Sequence, residues 1–174
     1  MQILTYILSV AALVLMTIPS LLKGKNMKGI LLLLCIGNGV MGLNYLLSGG
    51  INGAITSFIG VVTTLINFAL ELKNKPVPAW LRGLYFTISI VTNLIVSKGI
   101  TIGVVLVMIA GLCYQMSVTS KSGKQYRFYI FFNLFIWCVY DIVSASYGVL
   151  LTHATQLVIN VGSMLFYDKQ KKTN

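Results

Sequence analysis

The sequence predicts an all-α membrane protein whose seven transmembrane helices form two parallel three-helix bundles joined by a single helix. Its residues are 57% hydrophobic and only 9% charged, with a mean hydropathy of +0.88. A soluble domain, by comparison, carries about 25% charged residues. Two further observations predict the arrangement of the helices: basic residues cluster in alternate loops, and the chain repeats itself at a distance of 95 residues.

Each apolar stretch predicts one helix. A span of about 20 residues crosses the roughly 30 Å of membrane hydrocarbon, and backbone groups in lipid must be bonded within their own helix. The first stretch lacks a basic leader and a small-residue cleavage site, which favours a retained helix over a signal peptide. Pro76 and Pro78 mark the clearest linker. We expect helices over residues 2–22, 28–48, 51–72, 79–97, 99–118, 126–145 and 147–167.

The net charge of +10 is distributed by loop. Only Lys98 lies on the opposite side from the other basic residues, so the positive-inside rule places the N-terminus outside and the C-terminus in the cytoplasm. A nucleic-acid surface would mix basic and aromatic residues on a soluble face, so we expect no nucleic-acid partner. The loops after helices one, three, five and seven contain Lys23, Lys25, Lys28, Lys73, Lys75, Arg82, Lys121, Lys124, Arg127, Lys169, Lys171 and Lys172.

The internal repeat divides the chain. Its identities are Asn38 with Asn133, Tyr45 with Tyr140, and Gly53 with Gly148. Because the basic loops of both halves face the same side, the halves are parallel and need an odd number of crossings between them. We therefore assign residues 1–73 to a first three-helix bundle, 74–98 to a linker and an inverting fourth helix, and 99–174 to a second bundle with a basic tail.

Helices six and seven contain the candidate binding residues, at the three- and four-residue spacing of a single helix face. They combine aromatic and hydrogen-bonding groups, which suits a small polar ring or a sugar. Two interpretations remain open: the residues line a cavity, or they bond between helices. The candidate residues are Asn133, Trp137, Tyr140, Asp141, His153, Gln156 and Asn160.

Asp141 and His153 stand out among these residues. Asp141 is the only acid well inside an apolar span, and His153 is the chain's only histidine. Both lie about 7–10 Å from the break between their helices, at the helical rise per residue. We therefore expect the two side chains to contact each other near the extracellular end of the second bundle.

No catalytic set is visible. The chain has neither paired carboxylates nor a nucleophile motif, and Cys35, Cys113 and Cys138 lie in apolar spans without metal-ligand spacing. A retinal protein would need a lysine in mid-membrane, and this chain has none there. We expect no enzymatic activity, no cofactor and no metal.

Residues 18–23, Ile-Pro-Ser-Leu-Leu-Lys, and residues 114–116, Tyr-Gln-Met, resemble the PQ-loop signature. With the parallel bundles, they make the chain similar to the SWEET and PQ-loop superfamily, which includes vitamin transporters of the PnuC kind. A closer similarity, over nearly the whole chain, is to the YgjV family of bacterial inner-membrane proteins. Its two motifs are matched by Asn-Tyr-Leu-Leu-Ser-Gly-Gly at 44–50 with Gly53-Ala54, and by Trp137, Tyr140-Asp141 and Tyr147-Gly148.

The resemblance implies a multi-pass protein of the bacterial inner membrane that moves a small solute, such as a sugar or vitamin, by rocking one bundle against the other. It also implies that Asn160 lines a central cavity. The alternative is a non-transporting accessory, sensory or immunity protein that retains the fold. The expected partners are the lipid bilayer and a small polar solute, and a homo-oligomer remains open.

Overall fold

The computed structural model describes residues 2–22, 27–97 and 99–168. All of its regular elements in these ranges are helical, which confirms the predicted all-α class. They are α1 (Gln2–Leu21), α2 (Met27–Leu47), α3 (Ile51–Leu72), α4 (Ala79–Val96), α5 (Ile102–Val118), α6 (Gly123–Val143) and α7 (Tyr147–Ser163), with a π-helical turn at Met164–Asp168.

Six of these helical segments are long and apolar enough to cross a membrane, including Tyr147–Tyr167, and Ile102–Val118 is a shorter apolar helix. α5 begins later than predicted because Thr101 caps it, accepting the Val104 N–H at 3.3 Å. α6 begins earlier than predicted because Ser122 caps it in the same way, accepting the Gln125 N–H at 3.3 Å. The hydropathy pattern therefore located the helices, while capping side chains set their ends.

Two short turns of the same construction join α2 to α3 and α6 to α7. In the first, the Gly50 N–H donates to the Tyr45 carbonyl at 2.8 Å, and in the second the Ser146 N–H donates to the Asp141 carbonyl at 2.8 Å. This bond over five residues is typical of a Schellman ending of a helix. Both turns lie at one end of the molecule, which we call the turn end.

The opposite end, which we call the basic end, contains the start of α2, the end of α3, the start of α4 and the end of α5. A cavity of about 250 Å³ there is lined by Met27, Glu71, Lys75, Arg82 and Lys121, among others. Six of the residues used above to orient the chain lie outside the described residues: Lys23, Lys25, Lys98, Lys169, Lys171 and Lys172.

The helices pack in a closed order. α2 lies between α1 and α3, α6 lies between α5 and α7, and contacts of α3 with α5 and of α1 with α7 complete a ring of six. α4 packs on α3 and α5. One apolar cluster, centred on the fully buried Tyr126, fills the ring towards the basic end with residues such as Ile30, Leu34, Val118 and Leu134. Large apolar side chains on the outer faces are exposed, as a lipid-facing surface requires.

Candidate functional site

Asp141 and His153 form a buried pair beneath the turn that joins α6 to α7. The imidazole Nδ1 lies 2.6 Å from the carboxylate Oδ2. Asp141 is fully buried and His153 is 4% exposed. When the carboxylate is ionised it is only an acceptor, and Nδ1–H is then the donor towards it. The contact predicted from the matched depth of the two residues is confirmed.

His153 also belongs to a layer of rings that crosses the interior. Its imidazole stacks on Trp137, with the ring centroids 5.5 Å apart and the planes at 25°. Tyr45 of α2 lies on Trp137 at 6.1 Å and 32°. We call Tyr45, Trp137 and His153 the aromatic layer. Tyr140, another predicted site residue, packs edge-on against Trp137 at 5.3 Å, so it supports the layer from within α6.

The position of Tyr45 depends on Gly53. A Cβ atom at Gly53 would lie 2.7 Å from the Tyr45 ring, so only glycine allows the first turn of α3 to pass so close. Sequence reasoning did not select Tyr45 as a site residue. The available signal was its repeat partner Tyr140, together with its place in the Asn-Tyr motif at 44–50.

A small cavity lies at the centre of the ring of six helices. Its volume is about 40 Å³, room for little more than one water molecule. Among the predicted residues, Asn133, Trp137, His153 and Gln156 line it. Its other lining residues are Met16, Asn38, Met41, Tyr45, Thr56, Ser57, Gly111, Tyr114 and Leu134.

The two asparagines matched by the repeat both line this cavity and both bond towards α5. Asn38 donates to the Tyr114 hydroxyl, and Asn133 donates to the Ala110 carbonyl at 2.8 Å. Within the described part of the chain, two other lining atoms have no hydrogen-bond partner: the Tyr45 hydroxyl and the Gln156 Nε2. Buried polar atoms are usually paired, so these two are available to water or to a solute.

Asn160 lies elsewhere. Its Nδ2 donates to the Arg127 carbonyl at 2.9 Å and contacts Met164 Sδ at 3.7 Å. It is fully buried in the contact between α6 and α7 and is not among the residues that line the central cavity. The candidate residues of α7 are all buried on one face of the helix, but α6 covers that face at Asn160.

A larger cavity of about 610 Å³ lies at the turn end, between α1 and α7. Hydroxyl and amide side chains such as Ser9, Asn44 and Thr152 contribute to its wall. The next residues along the chain, Tyr45 and His153, line the central cavity instead. The turn-end cavity and the central cavity share no lining residue, and the three rings of the aromatic layer line only the central one. No group of three metal-ligating side chains occurs in residues 2–22, 27–97 or 99–168.

Comparison with known proteins gives a family. Nothing matches among the curated proteins or among the solved structures. The family model Imp-YgjV, described as a bacterial inner membrane protein, matches residues 3–171, nearly the whole chain. The chain therefore belongs to the Imp-YgjV family of bacterial inner membrane proteins.

Proposed function

We propose that this inner-membrane protein is a transporter or facilitator of a small polar, sugar- or vitamin-like solute, and that it acts by binding and release without chemical catalysis. The observation that carries the proposal is the central cavity. Side chains from α1, α2, α3, α5, α6 and α7 line it, and the Tyr45 hydroxyl and the Gln156 amide nitrogen lie there without partners among the described residues. Polar groups in a membrane interior usually mark a solute path.

The packing supports a 3+1+3 repeat, in which residues 1–73 and 99–174 are equivalent bundles and 74–98 link them. α2 and α6 hold the same place between their neighbours, and the contact of α3 with α5 corresponds to that of α7 with α1. The two matching turns add to this correspondence. This arrangement favours membership of the SWEET and PQ-loop superfamily, with the basic end in the cytoplasm by the positive-inside rule.

In this proposal two groups of side chains act as the barriers on either side of the central cavity. The aromatic layer lies towards the turn end, and the apolar cluster around Tyr126 lies towards the basic end. Rocking the two bundles apart at one end would open one barrier while the other stays closed, as alternating access requires.

The small volume of the cavity favours a second candidate. At about 40 Å³ it is far smaller than the roughly 300–1,000 Å³ that ligand pockets usually have. A non-transporting accessory, sensory or immunity protein with this fold would keep its bundles permanently closed.

Access to Gln156 distinguishes the two candidates. Gln156→Cys is introduced after replacing Cys35, Cys113 and Cys138 by alanine, and a membrane-impermeant thiol reagent is added to sealed vesicles of either orientation. The transporter predicts labelling from both sides. Ser146→Cys, in the wall of the turn-end cavity, is the control and should react from one side only. Complete protection of Gln156→Cys from both sides would favour the non-transporting protein.

A further inference from the structure

We infer that His153, held by Asp141, is a proton-binding site, and that its proton is the coupling ion of the transport proposed above. The inference rests on that proposed function. It adds the energy source, which the polar cavity alone does not identify.

The first argument is geometric. The contact with Asp141 occupies Nδ1 at 2.6 Å, which leaves Nε2 as the free ring nitrogen. His153 lines the central cavity. Gln156 lines the cavity one turn further along α7, and its side-chain nitrogen has no hydrogen-bond partner among the described residues. A cavity of about 40 Å³ can hold a water molecule, so a water molecule that carries a proton to the imidazole has room beside His153.

The second argument is the charge of the surroundings. The titratable groups near the pair are Asp141, Cys138 and Tyr140 of α6, Tyr45 of α2, and Tyr114 of α5, which lines the same cavity. α1, over Gln2–Leu21, contributes only Tyr6, which is exposed. The π-helical turn contributes Tyr167, fourteen residues beyond His153 along the chain.

None of these groups is basic. The nearest cation on α6, Arg127, is fourteen residues before Asp141, about 21 Å along the helix. The pair therefore carries one negative charge when His153 is neutral and no net charge when the ring is protonated. An uncompensated buried charge is costly in a membrane interior, so loading with one proton neutralises the site.

The proton step is simple. A hydronium ion in the cavity transfers a proton to Nε2, so that an N–H bond forms, an O–H bond breaks and a water molecule remains. The imidazolium is then held by the Asp141 carboxylate and by the face of Trp137, a cation–π contact. Loading thus strengthens the aromatic layer, and loss of the proton weakens it. The turn end should open when the site is unloaded and close when it is loaded.

The single histidine makes the site directly observable. In protein labelled with ¹⁵N-histidine and embedded in lipid, every imidazole nitrogen signal comes from His153. We expect Nδ1 to carry the proton in the neutral ring, and Nε2 to gain a proton when the pH is lowered. A neutral ring protonated at Nε2, or a ring that never gains its second proton, would overturn the inference.

The coupling is tested with Gln156→Cys. The ratio of its labelling rates from the turn end and from the basic end cancels the reactivity of the thiol itself. One linked proton changes an equilibrium by at most about tenfold per pH unit, so we expect this ratio to rise with pH by up to tenfold per unit. His153→Gln should make the ratio independent of pH, and Asp141→Asn is a second variant that should weaken the dependence.

The outcomes are separable. Labelling from both sides with a ratio that ignores pH would overturn the proton coupling and leave the transporter intact. Protection from both sides would overturn the transporter and the coupling with it. A rise steeper than tenfold per pH unit would also contradict the inference, because it requires more than one proton.

Discussion

Gly53 and Gly148 offer a matched test of how Tyr45 is held. They are 95 residues apart, the spacing of the proposed repeat, and they lie in the first turns of α3 and α7. A Cβ atom at Gly53 would meet Tyr45 ring carbons at 2.7–2.8 Å, whereas a Cβ atom at Gly148 would meet nothing within 4 Å. We therefore predict that Gly53→Ala destabilises the protein and Gly148→Ala does not.

The expected difference follows from two effects. Alanine is better than glycine in a helix by about 0.5–1 kcal/mol, and both variants share this gain. Forcing a methyl group into a packed site costs about 1–3 kcal/mol, and only Gly53→Ala has this cost, because the ring it meets is rigid and enclosed. The free energies of unfolding of the two variants should therefore differ by about 1–3 kcal/mol.

Reversible unfolding of the purified protein by SDS in mixed micelles, followed by circular dichroism, measures this difference. A second arm repeats Gly53→Ala in a Tyr45→Ala background, where the penalty should vanish because the ring is gone. Equal stability of the Gly53→Ala and Gly148→Ala variants would refute the reasoning. So would a penalty that persists without the Tyr45 ring.

Two further predictions concern the buried pair and the orientation. Asp141→Asn and His153→Gln should each lose a charged hydrogen bond worth about 1.5–3 kcal/mol of unfolding free energy. The double variant should lose little more than either single variant, because the effects of contacting residues are not additive, and additive losses would contradict the contact. As a control, the effect of Ser163→Ala, ten residues beyond His153 on α7, should add to that of Asp141→Asn. A reporter active only in the periplasm should work when fused after Gly50 or Gly148 and stay silent after Lys75 or Lys172, and activity after Lys172 would exclude the orientation.

The helices could be predicted because the membrane imposes a simple rule on composition. An apolar run of about 20 residues is helical in lipid whatever its neighbours are. The ends of the helices follow a different rule. α6 begins at Gly123, within a polar stretch that hydropathy excludes, because Ser122 supplies a cap there. The apolar pattern detects the segment of a helix that lies in hydrocarbon. The helix itself continues into the headgroup region for as long as its backbone groups find hydrogen-bond partners.

The site was predictable where it is local. The turn after Val143 is so short that α6 and α7 must be antiparallel neighbours, which fixes the relative depth of Asp141 and His153. The contact of Tyr45 with Trp137 is not local, because it depends on how α2 is rotated against α6. The burial of Asn160 against α6 likewise depends on how two helices are rotated against each other. The sequence pattern gives the polar face of a helix but not the angle at which its neighbour packs.

Packing stability alone does not account for the pair of Asp141 and His153. Replacing a buried ion pair with well-packed apolar residues is often neutral or stabilising, so a pair that served only the fold would be expendable and would be bonded on every side. Here the second carboxylate oxygen, Oδ1, has no partner among the described residues, and neither has the nearby Tyr45 hydroxyl. Each unmade bond of this kind costs about 1–3 kcal/mol. Unpartnered polar atoms beside a polar cavity are what the proposed binding of a proton and a small polar solute requires.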